Sequence, residues 1–316
     1  MIVRMKSWLQ PFSLAASFGL LVISCTGANK AEPKFDGQLA YELLVKQVNF
    51  GPRVPGTEPW KQCRSYFYDY FQKLGVGLDS QAFDFLDPYS QKTVPLVNVM
   101  ARIKGADSNE TGIMFMAHYD SRPRTDFPSK PELAKNPIAG ANDGASGVAV
   151  LLEMARLLSQ TRPPHNVDLV LVDGEDWGES GDPDYYLLGS REFAKRGVRG
   201  KYRFAILVDM VGDSDQQIYR ETFSQEFHPE LNDMIWETAR KLSVGTFIDS
   251  TVHTVLDDHI ALATTGVPAV DLIDFNYTFW HTDQDTSDKC SAQSLENVGK
   301  VLTLICYHPE LWPKKK

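Results

Sequence analysis

Acidic residues and histidines follow a series of apolar runs in this chain. His118 and Asp120 come after 113–117, Glu175 and Asp176 after 167–172, and Asp209 after 204–208. Others sit in loops: Asp143 within Gly140-Ala141-Asn142-Asp143-Gly144, the run Asp257-Asp258-His259, and His281 between Trp280 and Thr282. With 41 acids in the chain, any one of them reads as a solvated loop charge. The set does not, because each member lies beside an apolar strand or between glycines. Carboxylates gathered in one cleft repel one another and desolvate poorly. A divalent cation resolves that conflict. Carboxylate with imidazole, without thiolate, suits zinc in a catalytic site, where three protein ligands leave one position for water or substrate.

Such a site needs elements that bring distant segments together. Apolar residues at three- and four-residue steps predict helices over 39–48 and 60–74. Residues 80–86 and 96–103 read as strands of a hairpin. From residue 112 strands and helices alternate: strands at 113–117, 167–172, 204–208 and 268–273, and helices at 145–159, from 190, at 230–242 and at 292–308. That alternation predicts an α/β fold with a central, mostly parallel twisted sheet and helices on both faces. Ligands of such sheets sit beyond the C-terminal strand ends, where the acids and histidines fall.

Composition bounds the rest. The 316 residues, 43% hydrophobic and 23% charged, can bury a large core. A formal charge of −9 and the lack of any basic run argue against a nucleic-acid partner. Arg4 and Lys6 precede an apolar stretch, Phe12 to Ile23, too short to span a membrane. Val22-Ile23-Ser24-Cys25 resembles the lipobox of bacterial lipoproteins, with Cys25 as the lipidated residue; an ordinary secretory signal is the alternative. Either way the expectation is an exported protein, periplasmic or on the outer surface, touching membrane only through a lipid anchor. The expected organisation is a signal peptide over 1–24, a polar tether over 25–35 and a single catalytic domain over 36–316. Cys63, Cys290 and Cys306 have no metal-ligand spacing and read as buried, inert thiols.

The motifs, taken in order, are His118-Tyr119-Asp120-Ser121, the Asp143 glycine loop, Asp173-Gly174-Glu175-Asp176, Gly189-Ser190-Arg191, Val208-Asp209-Met210-Val211-Gly212, Asp257-Asp258-His259 and Trp280-His281-Thr282. Together they resemble the zinc aminopeptidase and glutaminyl cyclase superfamily from about residue 38 to the C-terminus. The resemblance implies a zinc-aminopeptidase-like (phosphorylase/hydrolase-like) fold and one of two chemistries. The aminopeptidases use two zinc ions and activate water. The cyclases bind one and close an N-terminal glutamine into pyroglutamate. Carried over by position, the cyclase zinc ligands are Asp143, Asp176 and His281; His118 and Asp209 would complete a second metal site in the peptidases.

Three features are similar to the cyclases: Asp257 ahead of Asp258-His259, where peptidases usually have Ser-Asp-His; Trp280 before His281; and Arg122 after His-Tyr-Asp-Ser. In the cyclases the extra acid and the equivalent of Asp209 share a short hydrogen bond near the general base. The implied roles are Glu175 as general base and acid, Asp209 and Asp257 as acids that tune it, and Trp280, Trp177 and Phe279 as substrate contacts, with 275–279 as the pocket rim. His118, Asp120 and His259 would stand behind these. The implied protein is a monomer with one zinc ion, acting on peptides or proteins with N-terminal glutamine; a two-zinc aminopeptidase is the alternative. Two departures stand out. Asp176 replaces a glutamate one methylene longer, and Ala117 stands where animal cyclases carry a disulfide beside this strand, which implies a bacterial branch of the animal-type enzymes.

Overall fold

The computed structural model describes residues 33–107 and 111–314. Strand β1 (Gly77–Leu86) and strand β2 (Thr93–Ile103) form the expected antiparallel hairpin. Four strands then run parallel to one another: β3 (Gly112–His118), β4 (Val167–Val172), β5 (Tyr202–Asp209) and, at the edge, β8 (Ala269–Ile273). The sheet order is β1-β2-β4-β3-β5-β8, with β2 antiparallel to β4. Every residue of β3 and β4 is buried, as expected for central parallel strands covered on both faces.

Alternation along β3 divides the core. Ile113, Phe115 and Ala117 face one hydrophobic cluster with Leu169, Leu171, Ile206 and Val208; Met114 and Met116 face the other with Val170, Val172, Ala205 and Leu207. The first cluster is roofed by α1 (Gly37–Val48), α2 (Glu58–Leu74), α3 (Ala145–Gln160), α6 (Pro229–Lys241) and α8 (Ala292–Tyr307). The second is covered by α4 (Leu188–Ala194) and α7 (Asp258–Ala263) through Phe193 and Leu262. Nearly all of α3 is buried, and a Cβ on Gly147 would lie 2.0 Å from the carbonyl oxygen of Val208. The helix therefore lies on the backbone of β5 just before Asp209.

The long elements lie within a few residues of the expected positions. The sequence did not disclose the small parallel pair β6 (Ile218–Glu221) and β7 (Phe247–His253), the short α5 (Thr222–Phe227), or α7. From Pro33 on, the chain forms one compact unit. Phe35, assigned to the tether, already belongs to the core: it is buried, and its ring fills the space beside Gly299 of α8. The expected signal peptide and Cys25 lie outside the described residues. Cys63, Cys290 and Cys306 are buried free thiols.

Candidate metal centre and active site

The C-terminal ends of β3, β4 and β5 deliver His118, the turn Asp173–Asp176 and Asp209 to one place. Gly174 (φ 67°) turns the chain after β4. Asp120 fixes the next two residues, accepting hydrogen bonds from the backbone N–H groups of Glu175 at 3.1 Å and Asp176 at 3.3 Å. Gly144 (φ 95°) does the same service for the Asp143 loop; a Cβ there would lie 2.7 Å from the Asp120 carbonyl oxygen. Left-handed backbone with that close an approach suits only glycine.

Asp143, Asp176 and His281 converge: each offers a ligand atom, and the three atoms lie within 4.8 Å of one another, all buried. His281 Nε2 is 3.4 Å from Asp176 Oδ1 and 3.7 Å from Asp143 Oδ2. Ligand atoms around a tetrahedral zinc with bonds of about 2.0–2.1 Å stand about 3.3 Å apart, so little movement would seat an ion. Asp143 Oδ2 and Asp176 Oδ2 are buried without a hydrogen-bond partner, which is costly unless a cation takes them. The donor set fits zinc, and the shorter Asp176 reaches the group. A second group, His118, Asp143 and Asp209, is equally close-set; His118 Nε2 lies 3.2 Å from an oxygen of each acid.

The charges act on one another strongly. Burial, then the charge of Asp176, pushes the Asp143 carboxyl up, with His118 and His281 opposing. Burial also acts on Asp176, but His281 and Arg122 outweigh it and hold that group at about 2. Burial disfavours the His281 cation, yet Asp176 and Asp126 raise it to about 9. His118 is likewise lifted well above its ordinary value, Asp209 overcoming burial. Glu175 is pushed well up by burial; His118 opposes, while Asp257, Asp176 and Asp258 add to the rise. Burial and the charge of Asp209 do the same to Asp257.

A cavity of about 160 Å³ opens over this group, lined by Glu175, Tyr186, Asp209, Asp257, Phe275 and Trp280 among others. It has the room of about five water molecules, enough for one side chain. Larger clefts beside β1 and β2 and beside α6 hold no comparable set of buried acids and histidines. Trp280 lies against the His281 ring at 3.9 Å and 28° and leans on Phe275 at 5.0 Å. Asp257 caps α7, accepting from the Asp258 N–H, while its Oδ2 has no partner.

Two expected contacts fall elsewhere. Trp177 does not line the cavity: its indole donates to Asp87 at 3.0 Å and packs on Phe85. Tyr186 takes that wall. The loop 177–188 is strutted on the β1–β2 turn, with the Tyr89 hydroxyl donating to Asp182 and accepting from the Glu179 N–H. Phe279 faces Tyr277 and Lys289, and Phe275 is the ring at the cavity. His259, for which a structural role was the alternative, is buried between Glu221 at 3.3 Å and Asp271 at 3.8 Å.

The sequence reading missed two acids. Asp126 holds His281 Nδ1 at 2.9 Å. Asp285 accepts from the backbone N–H groups of Asn142 and Asp143 and from the Tyr277 hydroxyl. Asp285 comes four residues after His281 in a polar run, and nothing local marks either acid. His281 (φ 54°) and Met210 (φ 45°) adopt left-handed backbone, a conformation that persists at functional sites when neighbours hold it.

A mostly parallel sheet with paired carboxylate–histidine groups at its carboxyl ends defines a metal-dependent α/β enzyme. Residues 98–305 match Peptidase family M28, and the chain belongs to that family. It is similar to the solved glutaminyl cyclase of Bacteroides thetaiotaomicron bound to N-acetylhistamine, at 33% identity and a TM-score of 0.83, over 87% of this chain and 99% of that one. It is equally similar to a leucine aminopeptidase precursor from Bacteroides thetaiotaomicron VPI-5482, at 34% identity and a TM-score of 0.83, over 87% and 98%. A curated relative, a probable zinc metalloprotease of Leptosphaeria maculans, is 27% identical over 77% of this chain; the match spans 64% of that longer protein.

Proposed function

We propose that this M28 protein is a zinc-dependent glutaminyl-peptide cyclotransferase, closing the N-terminal glutamine of peptides or proteins to pyroglutamate with release of ammonia. Relatives of both chemistries exist, so the choice rests on this chain's residues. Asp257 carries it. It lines the cavity with Glu175 and Asp209, its Oδ2 lacks a partner, and Asp209 is the neighbour that raises it most. Burial and the Asp209 charge favour the protonated form of Asp257. An acid pair that keeps a proton supports a base beside it and does not supply a second metal.

Asp143, Asp176 and His281 would hold one zinc ion, and two carboxylates with a neutral imidazole balance its charge. When bound, zinc supplies Lewis-acid polarisation of the glutamine side-chain carbonyl. The chain's residues do the rest. Trp280, Tyr186 and Phe275 wall a space for one side chain, so the glutamine curls and its α-amine meets its own δ-carbon. Such orientation is worth up to about 7–11 kcal/mol in the best cases. Glu175, made a stronger base by burial and its acidic neighbours, accepts a proton from the attacking amine. It returns that proton to the side-chain nitrogen as the δ-carbon–nitrogen bond breaks and ammonia leaves.

The test is direct. Incubated with a glutamine-headed peptide, the purified protein releases ammonia, the peptide loses the mass of one ammonia, and the protein carries one zinc per chain. Hydrolysis of a leucine anilide with two zinc ions per chain and no ammonia would reverse the assignment. The second reading is kept in view by one observation, the metal-competent spacing of His118, Asp143 and Asp209. The lipobox-like sequence Val22-Ile23-Ser24-Cys25 supports an exported protein anchored at Cys25. Cys25→Ser moves the protein from the membrane to the soluble exported fraction; unchanged partition refutes the anchor.

A further inference from the structure

Arg122 comes just after β3, directly behind the His118–Ser121 motif, and is among the largest fully buried side chains. A buried guanidinium needs acidic partners, and this one has two on different segments. Its Nη1 donates to Asp176 Oδ1, and its Nη2 lies 2.8 Å from Asp126 Oδ2. That same Asp126 oxygen is 2.9 Å from His281 Nδ1. One cation thus links Asp176 to the acid that holds His281.

The segment from Arg122 grips His281 through its backbone as well. The N–H groups of Asp126 and Phe127 donate to the His281 carbonyl oxygen at 3.1 and 3.2 Å, at the residue whose φ is 54°. With Asp126 at Nδ1, the ring carries its proton there and turns the Nε2 lone pair towards Asp143 and Asp176. At Asp176, Arg122 holds Oδ1, the oxygen 3.4 Å from His281 Nε2, while Oδ2 is buried without a partner, so the carboxylate is fixed in place beside the metal position. Tyr186 closes the arrangement: its hydroxyl accepts from Arg122 Nη2 at 3.1 Å, and its ring lies under the guanidinium at 5.5 Å.

We propose that Arg122 is a positioning residue that locks Asp176 and, through Asp126, His281 into one metal-ready geometry. A planar fork can span two carboxylates; a lysine ammonium, a point charge on a flexible stem, cannot do so in the same way. The device also accounts for the aspartate at 176, since a short side chain pinned by a buried arginine keeps one oxygen at a fixed place. The inference rests on Asp143, Asp176 and His281 binding a metal, but not on which reaction that metal serves.

The experiment uses the full chain, stripped by a chelator and titrated with zinc against a chromophoric competitor and with cobalt(II) for its visible spectrum. Removing an outer partner of a metal ligand typically weakens metal affinity 10–100-fold. Arg122→Gln and Arg122→Lys should both weaken zinc binding by about tenfold or more. Both should change the intensity of the cobalt bands, while the far-UV circular dichroism of the metal-free protein stays unchanged. Asp126→Asn should also weaken zinc, and the double variant Arg122→Gln/Asp126→Asn should be no more than about twofold weaker than the worse single variant, since both changes break one device. Parental zinc affinity and cobalt spectrum in Arg122→Lys would overturn the proposal, as would losses that multiply in the double variant. If Arg122→Gln does not fold, Arg122→Lys and its pairing with Asp126→Asn decide by the same criteria. A protein that shows the coupled loss but forms no pyroglutamate keeps the clamp and loses the cyclase assignment.

Discussion

Glu175→Gln separates chemistry from architecture. The backbone of Glu175 is held without help from its side chain: its N–H donates to Asp120, and its carbonyl oxygen accepts from Leu187 at 2.9 Å. The side chain lines the cavity and is 9% exposed. Glutamine keeps its volume and shape, so fold and metal content should survive. The loss is a group that accepts and returns a proton, a contribution of about 10²–10⁴ in rate, or roughly 3–5.5 kcal/mol of barrier. It should fall on kcat, with KM little changed. The variant should also be no less stable than the parent when metal-free at pH 8. Burial and neighbouring acids push the Glu175 carboxyl up, so ionising it costs the folded state free energy that a neutral amide does not. Ammonia release by a coupled enzyme assay, zinc by elemental analysis and thermal melts read the three outcomes. A variant that retains its zinc and turns over within about tenfold of the parent refutes the assignment of Glu175 as proton carrier.

Two further perturbations probe the same geometry. Asp258, Asp274 and Asp285 are raised to about 7, burial being the first cause in each; the folded protein then binds more protons than the unfolded chain between about pH 4 and 7, so stability is present at the acid side and lost as pH rises through 7. Melts of the chelator-stripped protein should show the midpoint falling from pH 5 to pH 8, and a flat or rising midpoint would contradict the buried-acid account. Gly147→Ala forces α3 off β5, because the new Cβ meets the Val208 carbonyl oxygen at 2.0 Å; a loss of about 1–3 kcal/mol is expected from denaturant titration, and an unchanged midpoint would rule out the close helix–strand contact.

The fold was legible where apolar runs are long. The strands β3, β4 and β5 are buried on both faces, so period and length both mark them. The pair β6 and β7 was not, because β6 has only four residues and β7 is largely exposed. Helix α7 spans only six residues, and Asp257, read from the sequence as an acid beside the general base, is also its cap. The residues that gather into the two candidate metal groups were legible through the motifs that carry them. The cavity wall was not, because the direction of a side chain is set by partners far along the chain. Trp177 is drawn away by Asp87, ninety positions earlier, and Tyr186 takes its place only because the loop between them is tied to the hairpin. Asp126 and Asp285 escaped for a similar reason: Asp126 acts on His281, 155 positions away, and Asp285 on Asp143, 142 positions away.

The crowding of acids links metal count to chemistry. Two carboxylate charges about 4 Å apart cost about 4 kcal/mol even at an effective dielectric of 20, and this cavity gathers Asp143, Glu175, Asp176, Asp209 and Asp257. Each charge must be met by a cation or cancelled by a proton. Zinc at Asp143, Asp176 and His281 would meet two of them, with Arg122 supporting Asp176. For Asp209 there are two claimants. A second metal, with His118 and Asp143, would use it fully ionised and would put an activated water in the cavity. Asp257, its carboxyl pushed up by burial and by the Asp209 charge, would compete with that metal for Asp209 and leave Glu175 as the group that moves protons. Asp257 is the residue that tilts that competition, since a serine in its place could neither share the charge nor raise Glu175. A cyclase can thus arise within a peptidase family with its second set of ligands unaltered, by the addition of one buried acid beside Asp209.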